Sequence, residues 1–211
     1  SKLIEPYGRS IVIVPNKSLV TQTEEDYRNM GLDVGVYFGD RKEYGKTHTI
    51  CTWQSLNILE KRRQNSEGNV IEEFKHDVVC VIVDEVHMAK ADVLRRLLTN
   101  VYGSVPIRWG LTGTIPKKDY EFKSLHVSLG PVINKVSAKE LQDKGLLAQL
   151  QIEIMQMVDF CEYKNYREEQ THLVTKQTRI DYIGSLVTEM TKSGNTLILV
   201  DRVKSGELLQ Q

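Results

Sequence analysis

The sequence predicts an α/β fold of the doubly wound type, with helices packed on a mostly parallel sheet. Three observations carry this reading. Residues 78–83 (Val-Val-Cys-Val-Ile-Val) form an unbroken apolar run rich in β-branched side chains, the mark of a strand buried on both faces. Residues 10–14 (Ser-Ile-Val-Ile-Val) form a second such run, bounded by Gly8 and Pro15. Between and after them, segments of helical periodicity alternate with further short apolar runs, which is how parallel strands are joined.

In order along the chain, the strand at residues 10–14 leads through a Pro15-Asn16-Lys17-Ser18 turn into a helix. There Leu19, Val20, Thr23, Tyr27 and Met30 recur at helical spacing until Gly31 supplies a stop. Residues 32–38 alternate (Val34, Val36, Phe38) as a half-buried strand does. Residues 39–47 end in Gly45-Lys46-Thr47 and look like a phosphate loop, but one residue too many separates Gly39 from Gly45 and a strand comes next. A polar inter-strand loop is the preferred reading. His48 to Thr52 is that strand, and Trp53 opens a helix ending in Lys61, Arg62 and Arg63, where cations suit the helix dipole. Residues 64–69 read as a polar loop and residues 71–74 as a short helical turn before the central strand.

Beyond His87, the spacing of Val93, Leu94, Leu97, Leu98 and Val101 predicts a helix closed by Gly103 and Pro106. Residues 107–114 make a short strand ending in small and hydroxyl residues. Ser137 is placed to cap a short helix that stops near Gly145. Residues 151–158 and 196–200 read as strands, separated by a helix over residues 181–190 and succeeded by one over Val203–Leu209. That set is too small to cover its own apolar faces. The expected organisation is therefore a first domain over residues 1–136, a connecting helix over 137–150, and the front part of a second α/β domain over 151–211.

The 211 residues balance 28 Lys+Arg against 28 Asp+Glu, so nucleic-acid binding must come from a local surface and not from a basic field. Cys51, Cys80 and Cys161 have no metal-site spacing and read as free thiols of a reducing compartment. No segment is apolar over the roughly 20 residues that a membrane span needs, and a cytoplasmic location is expected.

Asp84 and Glu85 come directly after the central strand, at the sheet edge where doubly wound folds bind ligands. Such a pair suits a nucleotide hydrolase, in which one carboxylate holds magnesium and the next activates water. It equally suits an acidic helix opening, which needs no ligand.

The neighbouring strand ends add to the pair. Val83-Asp84-Glu85-Val86-His87, with Gly110-Leu111-Thr112-Gly113-Thr114 after it, resembles the second and third motifs of the DExH helicases of superfamily 2. Ile13-Val14-Pro15-Asn16-Lys17-Ser18-Leu19-Val20-Thr21-Gln22 is similar to that family's nucleic-acid-contacting segment, and Thr49-Ile50-Cys51-Thr52-Trp53-Gln54-Ser55-Leu56 to its T-[WY]-Q segment. Lys139-Glu140-Leu141-Gln142-Asp143-Lys144-Gly145-Leu146-Leu147 resembles the passage between its two motor domains. Within the family the likeness runs to the phage recombination helicases of the UvsW type.

The resemblance implies RecA-like motor domains, ATP and Mg²⁺ as cofactors, and DNA, single-stranded or branched, as partner. Asp84 would hold Mg²⁺, Glu85 would activate water, and His87 would relay nucleotide state. Thr112 and Thr114 would couple hydrolysis to movement; a turn that satisfies its own backbone is the plain alternative. Pro15, Asn16, Lys17, Thr52, Trp53 and Gln54 would face nucleic acid, with Trp53 either stacking on a base or packing in the core. The family's phosphate loop and its second-domain arginines do not occur within these residues, so the expectation is an internal piece of a longer helicase, inactive alone. A motor subunit of a restriction or remodelling complex and a non-hydrolysing nucleic-acid-binding module remain alternatives.

Overall fold

A computed structural model describes residues 1–64, 68–88, 91–158 and 160–210. The chain divides into two compact units, Ser1–Leu147 and Ala148–Gln211. The first opens with a 3-10 turn, Lys2–Tyr7, and continues as β1 (Arg9–Val14), α1 (Lys17–Asn29), β2 (Val34–Phe38), β3 (Arg41–Lys42), β4 (His48–Thr52), α2 (Trp53–Gln64), α3 (Gly68–Lys75) and β5 (Val78–Val83). A 3-10 turn at Val86–Met88, α4 (Ala91–Arg96), a π-helical turn at Leu97–Val101, β6 (Ile107–Gly110), α5 (Asp119–Leu129) and α6 (Ala138–Asp143) complete it.

The six strands form one sheet in the order β3-β2-β4-β1-β5-β6. Every pairing is parallel except the short β2–β3 hairpin. Successive residues of a strand point to opposite faces, and β1 accordingly feeds two cores. Ile11 and Ile13 join Leu56 and Leu59 of α2, Phe74 of α3 and Leu94 of α4, with Leu125 and Leu129 of α5 against them. Val12 and Val14 join Ile4, Val20, Val36, Ile50 and Ile82 on the other face, beside Leu19 and Tyr27 of α1. This is the doubly wound arrangement, and it explains why β1 and β5 carry apolar runs without alternation and why β4 is buried along its whole length.

Local chemistry fixes the ends. Asn16 caps α1, its Oδ1 accepting from the Leu19 amide at 3.0 Å. Ser137 caps α6 through the Glu140 amide at 3.1 Å, and Gly145 adopts a positive φ of 67° just beyond its end. The apolar spacing around residues 93–101 holds, but the helix widens. Tyr102 donates to the Leu97 carbonyl five residues back at 2.9 Å, and Thr99 Oγ1 bonds the Arg95 carbonyl. α3 begins at Gly68, so part of the expected 64–69 loop is helical, while residues 65–67 lie outside the described residues. α5 has no counterpart among the expected elements, although Phe122, Leu125 and Leu129 stand at helical spacing before Gly130.

In the second unit α7 (Tyr166–Thr175), α8 (Gln177–Met190) and α9 (Val203–Leu209) form, α8 starting earlier than its apolar face suggests and α7 unforeseen. The expected strands at 151–158 and 196–200 do not form. Ile152, Ile154, Leu197 and Leu199 stay exposed. An extended segment gains stability only from a neighbour that accepts its ladder bonds, and neither segment has one among the described residues. None of the described helices is long and apolar enough to cross a membrane.

Two polar knots hold the sheet's amino-terminal side and its β2–β3 hairpin. Fully buried His48 meets Ser10 Oγ through Nδ1 at 2.7 Å and Glu5 Oε1 through Nε2 at 3.2 Å, and burial pushes its pKa down. Glu24 of α1, only 8% exposed, accepts from Arg41 at 2.7 and 2.8 Å and from Arg28 at 2.8 and 3.1 Å. The Arg41 hydrogen bonds, aided by Arg28 and opposed by burial, pull its carboxyl from 4.5 down to about 2. A depressed carboxylate stabilises the fold above its unfolded pKa and loses that contribution as pH falls through the folded one. Glu24→Gln should therefore cost about 1–2 kcal/mol at neutral pH, a figure discounted for the exposure of Arg41. In urea titrations the gap between wild type and variant should close as pH drops from about 4.5 towards 2; a gap independent of pH would contradict the assignment.

Candidate functional site

Parallel registry puts four strand ends in one row. Thr52 of β4 pairs with Val14 of β1, Ile13 of β1 with Val83 of β5, and Val83 with Gly110 of β6. The residues just past these ends therefore emerge along one edge of the sheet, the edge where doubly wound folds place ligands.

The acidic pair is held by backbone on both sides. The Asp84 amide donates to the Ile13 carbonyl at 2.8 Å, extending the β1–β5 ladder by one bond. Across the other gap Leu111 donates to the Val83 carbonyl at 2.8 Å, and Val86 donates to the Leu111 carbonyl at 3.0 Å. Asp84 Oδ1 accepts from the Glu85 amide at 2.9 Å. Between these anchors Glu85 takes a left-handed backbone with φ 46°, a conformation that costs a non-glycine residue roughly 1–2 kcal/mol.

That turn carries the carboxylate towards the next motif. Glu85 Oε2 stands 3.2 Å from His87 Nδ1, and the same nitrogen lies 2.7 Å from Thr112 Oγ1. Thr112 Oγ1 in turn accepts from the Thr114 amide at 3.0 Å and donates to the Thr114 carbonyl at 2.9 Å. The structure thus brings Asp84, Glu85, His87, Thr112 and Thr114 together, the last through its backbone. Gly110 belongs to the same packing, because a Cβ there would come within 2.6 Å of Leu129 on α5. An open cleft beside His87 is lined by Met88, Asp92, Arg95, Tyr120 and Lys123, so the unforeseen α5 supplies one of its walls.

The β1 and β4 ends form the second half of the row. Lys17 and Gln54 are exposed, and Gln54 Nε2 reaches the Pro15 carbonyl at 3.5 Å, joining the two helix openings. Asn16 and Thr52 are occupied as caps; Thr52 is buried and its hydroxyl accepts from the Ser55 amide at 3.3 Å. Trp53 is half-buried against the core, which leaves only part of its ring open.

The phosphate-loop lookalike lies elsewhere. Thr47 immediately precedes β4, so in a parallel sheet it sits at the edge opposite the acidic pair. Asp33 occupies its groups, reaching Lys46 Nζ at 3.2 Å and the Thr47 amide and hydroxyl at 3.0 and 3.1 Å. The Thr47 amide foremost holds the Asp33 carboxyl below its ordinary pKa.

No cluster of three or more His, Cys, Asp or Glu that could cage a metal occurs among the described residues. The acidic pair fits magnesium, which keeps its waters and binds through one or two carboxylates plus substrate phosphates.

A family model described as type III restriction enzyme, res subunit, matches residues 2–117. The general transcription and DNA repair factor IIH helicase/translocase subunit XPB of Danio rerio is 32% identical over 111 residues, covering 52% of this chain and 14% of that protein. The same subunit from Encephalitozoon cuniculi is 25% identical over 183 residues, covering 82% of this chain and 27% of that protein. The chain therefore spans less than a third of either relative. The solved UvsW helicase of bacteriophage T4 superposes with a TM-score of 0.45 at 17% identity, over 61% of this chain and 46% of that one.

The strained backbone at Glu85 has a measurable consequence. Glu85→Gly removes the left-handed penalty and should leave thermal stability equal or higher, by up to about 1 kcal/mol, even though a carboxylate is lost. A clear fall in melting temperature would show that the side chain and not the backbone governs stability there.

Proposed function

Since this chain belongs to the family of the type III restriction enzyme res subunit, we propose that it forms part of an ATP-driven, RecA-like DNA helicase or translocase motor. The observation that carries the reading is the acidic pair at the end of β5, tied through His87 to Thr112 at the end of β6. In this reading Asp84 would hold Mg²⁺, which would supply positive charge to the nucleotide phosphates when bound. Glu85 takes a proton from the attacking water, a role its Oε2 suits because that oxygen is buried and accepts no hydrogen bond from a described residue. His87 and the Thr112–Thr114 turn join this corner to the rest of the edge, so a change at the carboxylate is felt at β6.

On the same edge, Pro15, Asn16, Lys17, Thr52, Trp53 and Gln54 face one strand of nucleic acid. Lys17 and Gln54 supply side-chain contacts, while Asn16 and Thr52 act as caps that fix the helix openings whose free amides meet phosphates. That assignment reads shape and charge, not sequence. DNA as partner is supported by the DNA-repair description of the XPB relatives. We assign the motor to DNA remodelling or branch migration in recombination, replication or repair, in the cytoplasm. Residues 1–136 form the first motor domain, 137–150 the connection, and 151–211 the beginning of a second. The family's own description favours a second reading, a motor subunit within a restriction complex.

The test is ATP hydrolysis by the full-length polypeptide that carries these residues, with and without DNA. Glu85→Gln should lower DNA-stimulated kcat by about 10²- to 10⁴-fold, the range of general-base catalysis, while nucleotide binding persists. Unchanged turnover would remove Glu85 from the mechanism. Dependence of turnover on a nuclease partner would favour the restriction reading.

A further inference from the structure

The contacts around His87 allow a count of protons. Thr112 has one hydroxyl hydrogen and two lone pairs. Its hydrogen goes to the Thr114 carbonyl at 2.9 Å, and one lone pair accepts from the Thr114 amide at 3.0 Å. The remaining contact, 2.7 Å to His87 Nδ1, is then closed only if the ring nitrogen donates. Glu85 points to the same answer independently. Its Oε2 lies 3.2 Å from Nδ1, and a carboxylate oxygen at that distance from a bare nitrogen lone pair would be repelled. Yet Oε2 is buried and receives no hydrogen bond, so the Nδ1 hydrogen is aimed at Thr112 and not at the carboxylate.

We propose that Thr112 is a positioning residue that holds His87 as its Nδ1–H tautomer and keeps that hydrogen off Glu85. This rests on the reading of Glu85 as the base. A hydrogen bond to a carboxylate stabilises its charged form and weakens it as a base, so a histidine turned towards Glu85 would quench the water-activating oxygen. Thr112, standing beyond the end of β6, decides which of the two acceptors receives the single hydrogen. The second ring nitrogen, Nε2, has no partner among the described residues and is left unprotonated, an acceptor for a donor arriving at the site.

The tautomer is read directly from the ring nitrogen shifts of His87 in the ¹⁵N-labelled 211-residue chain, at a pH where the ring is neutral and without nucleotide. Wild type should show a protonated Nδ1 and a bare Nε2. Glu85→Ala should keep that pattern, because Thr112 remains. Thr112→Val in the Glu85→Ala background should revert to the Nε2–H form that neutral histidine prefers in water, and Thr112→Ser in the same background should retain Nδ1–H. A protonated Nε2 in wild type overturns the proposal, as does a tautomer that flips with Glu85→Ala alone or ignores Thr112→Val. If the valine variant does not fold, the wild-type, alanine and serine spectra still decide. These shifts involve no turnover, so they fail or succeed separately from the hydrolysis assay that tests Glu85.

Discussion

The site depends on the backbone lacing around the end of β5. Asp84 is tied to Ile13 on one side, and Leu111 and Val86 close the gap to β6 on the other. Side chains on free loops could not be held to this relation. Because four parallel strands end in register, the loops beyond them are forced into one row, and each needs only a short polar segment to contribute. The apolar strands supply the rigidity; the proposed chemistry falls to the first residues after they stop.

The same lacing explains the strain. Glu85 is held in a left-handed turn between an anchored Asp84 and a buried Val86, and the turn brings its carboxylate to His87. An unfavourable backbone persists only where the surroundings over-determine it, and two ladder extensions within three residues do so here. The polar groups used for building are far better satisfied. Glu24 collects two arginines, and His48 is bonded at both ring nitrogens. Glu85 Oε2, in contrast, is buried without a hydrogen-bond donor among the described residues, as the proposed water-activating role requires.

Much of this was legible in the sequence, for a physical reason. A strand buried on both faces is mostly apolar, so residues 10–14 and 78–83 stand out, and the polar residues directly after each run mark a strand end. The capping roles of Asn16 and Ser137 could be read because helix openings need an acceptor. The features that escaped depend on partners distant in sequence. The alternation at residues 151–158 marks a strand only if a neighbour accepts its bonds, and the segment stays unpaired. α5 has a half-buried face interrupted by charges, so its apolar spacing is weak. The Gly-Lys-Thr lookalike is set aside by topology, since it precedes β4 and so lies at the edge of the parallel sheet opposite the end of β5 that carries the acids. The left-handed turn at Glu85 has no local signal at all, because it is imposed from both sides.

The central claim is that the β1 and β4 ends form one nucleic-acid surface on the edge that bears the acidic pair. It is tested most directly by mapping amide shift changes while single-stranded DNA is added to the 211-residue chain. The account predicts concerted, salt-sensitive changes at residues 15–17 and 52–54, weakened together by Lys17→Ala. Changes confined to the basic end of α2 at Lys61 and Arg62, with both strand-end segments silent, would contradict it.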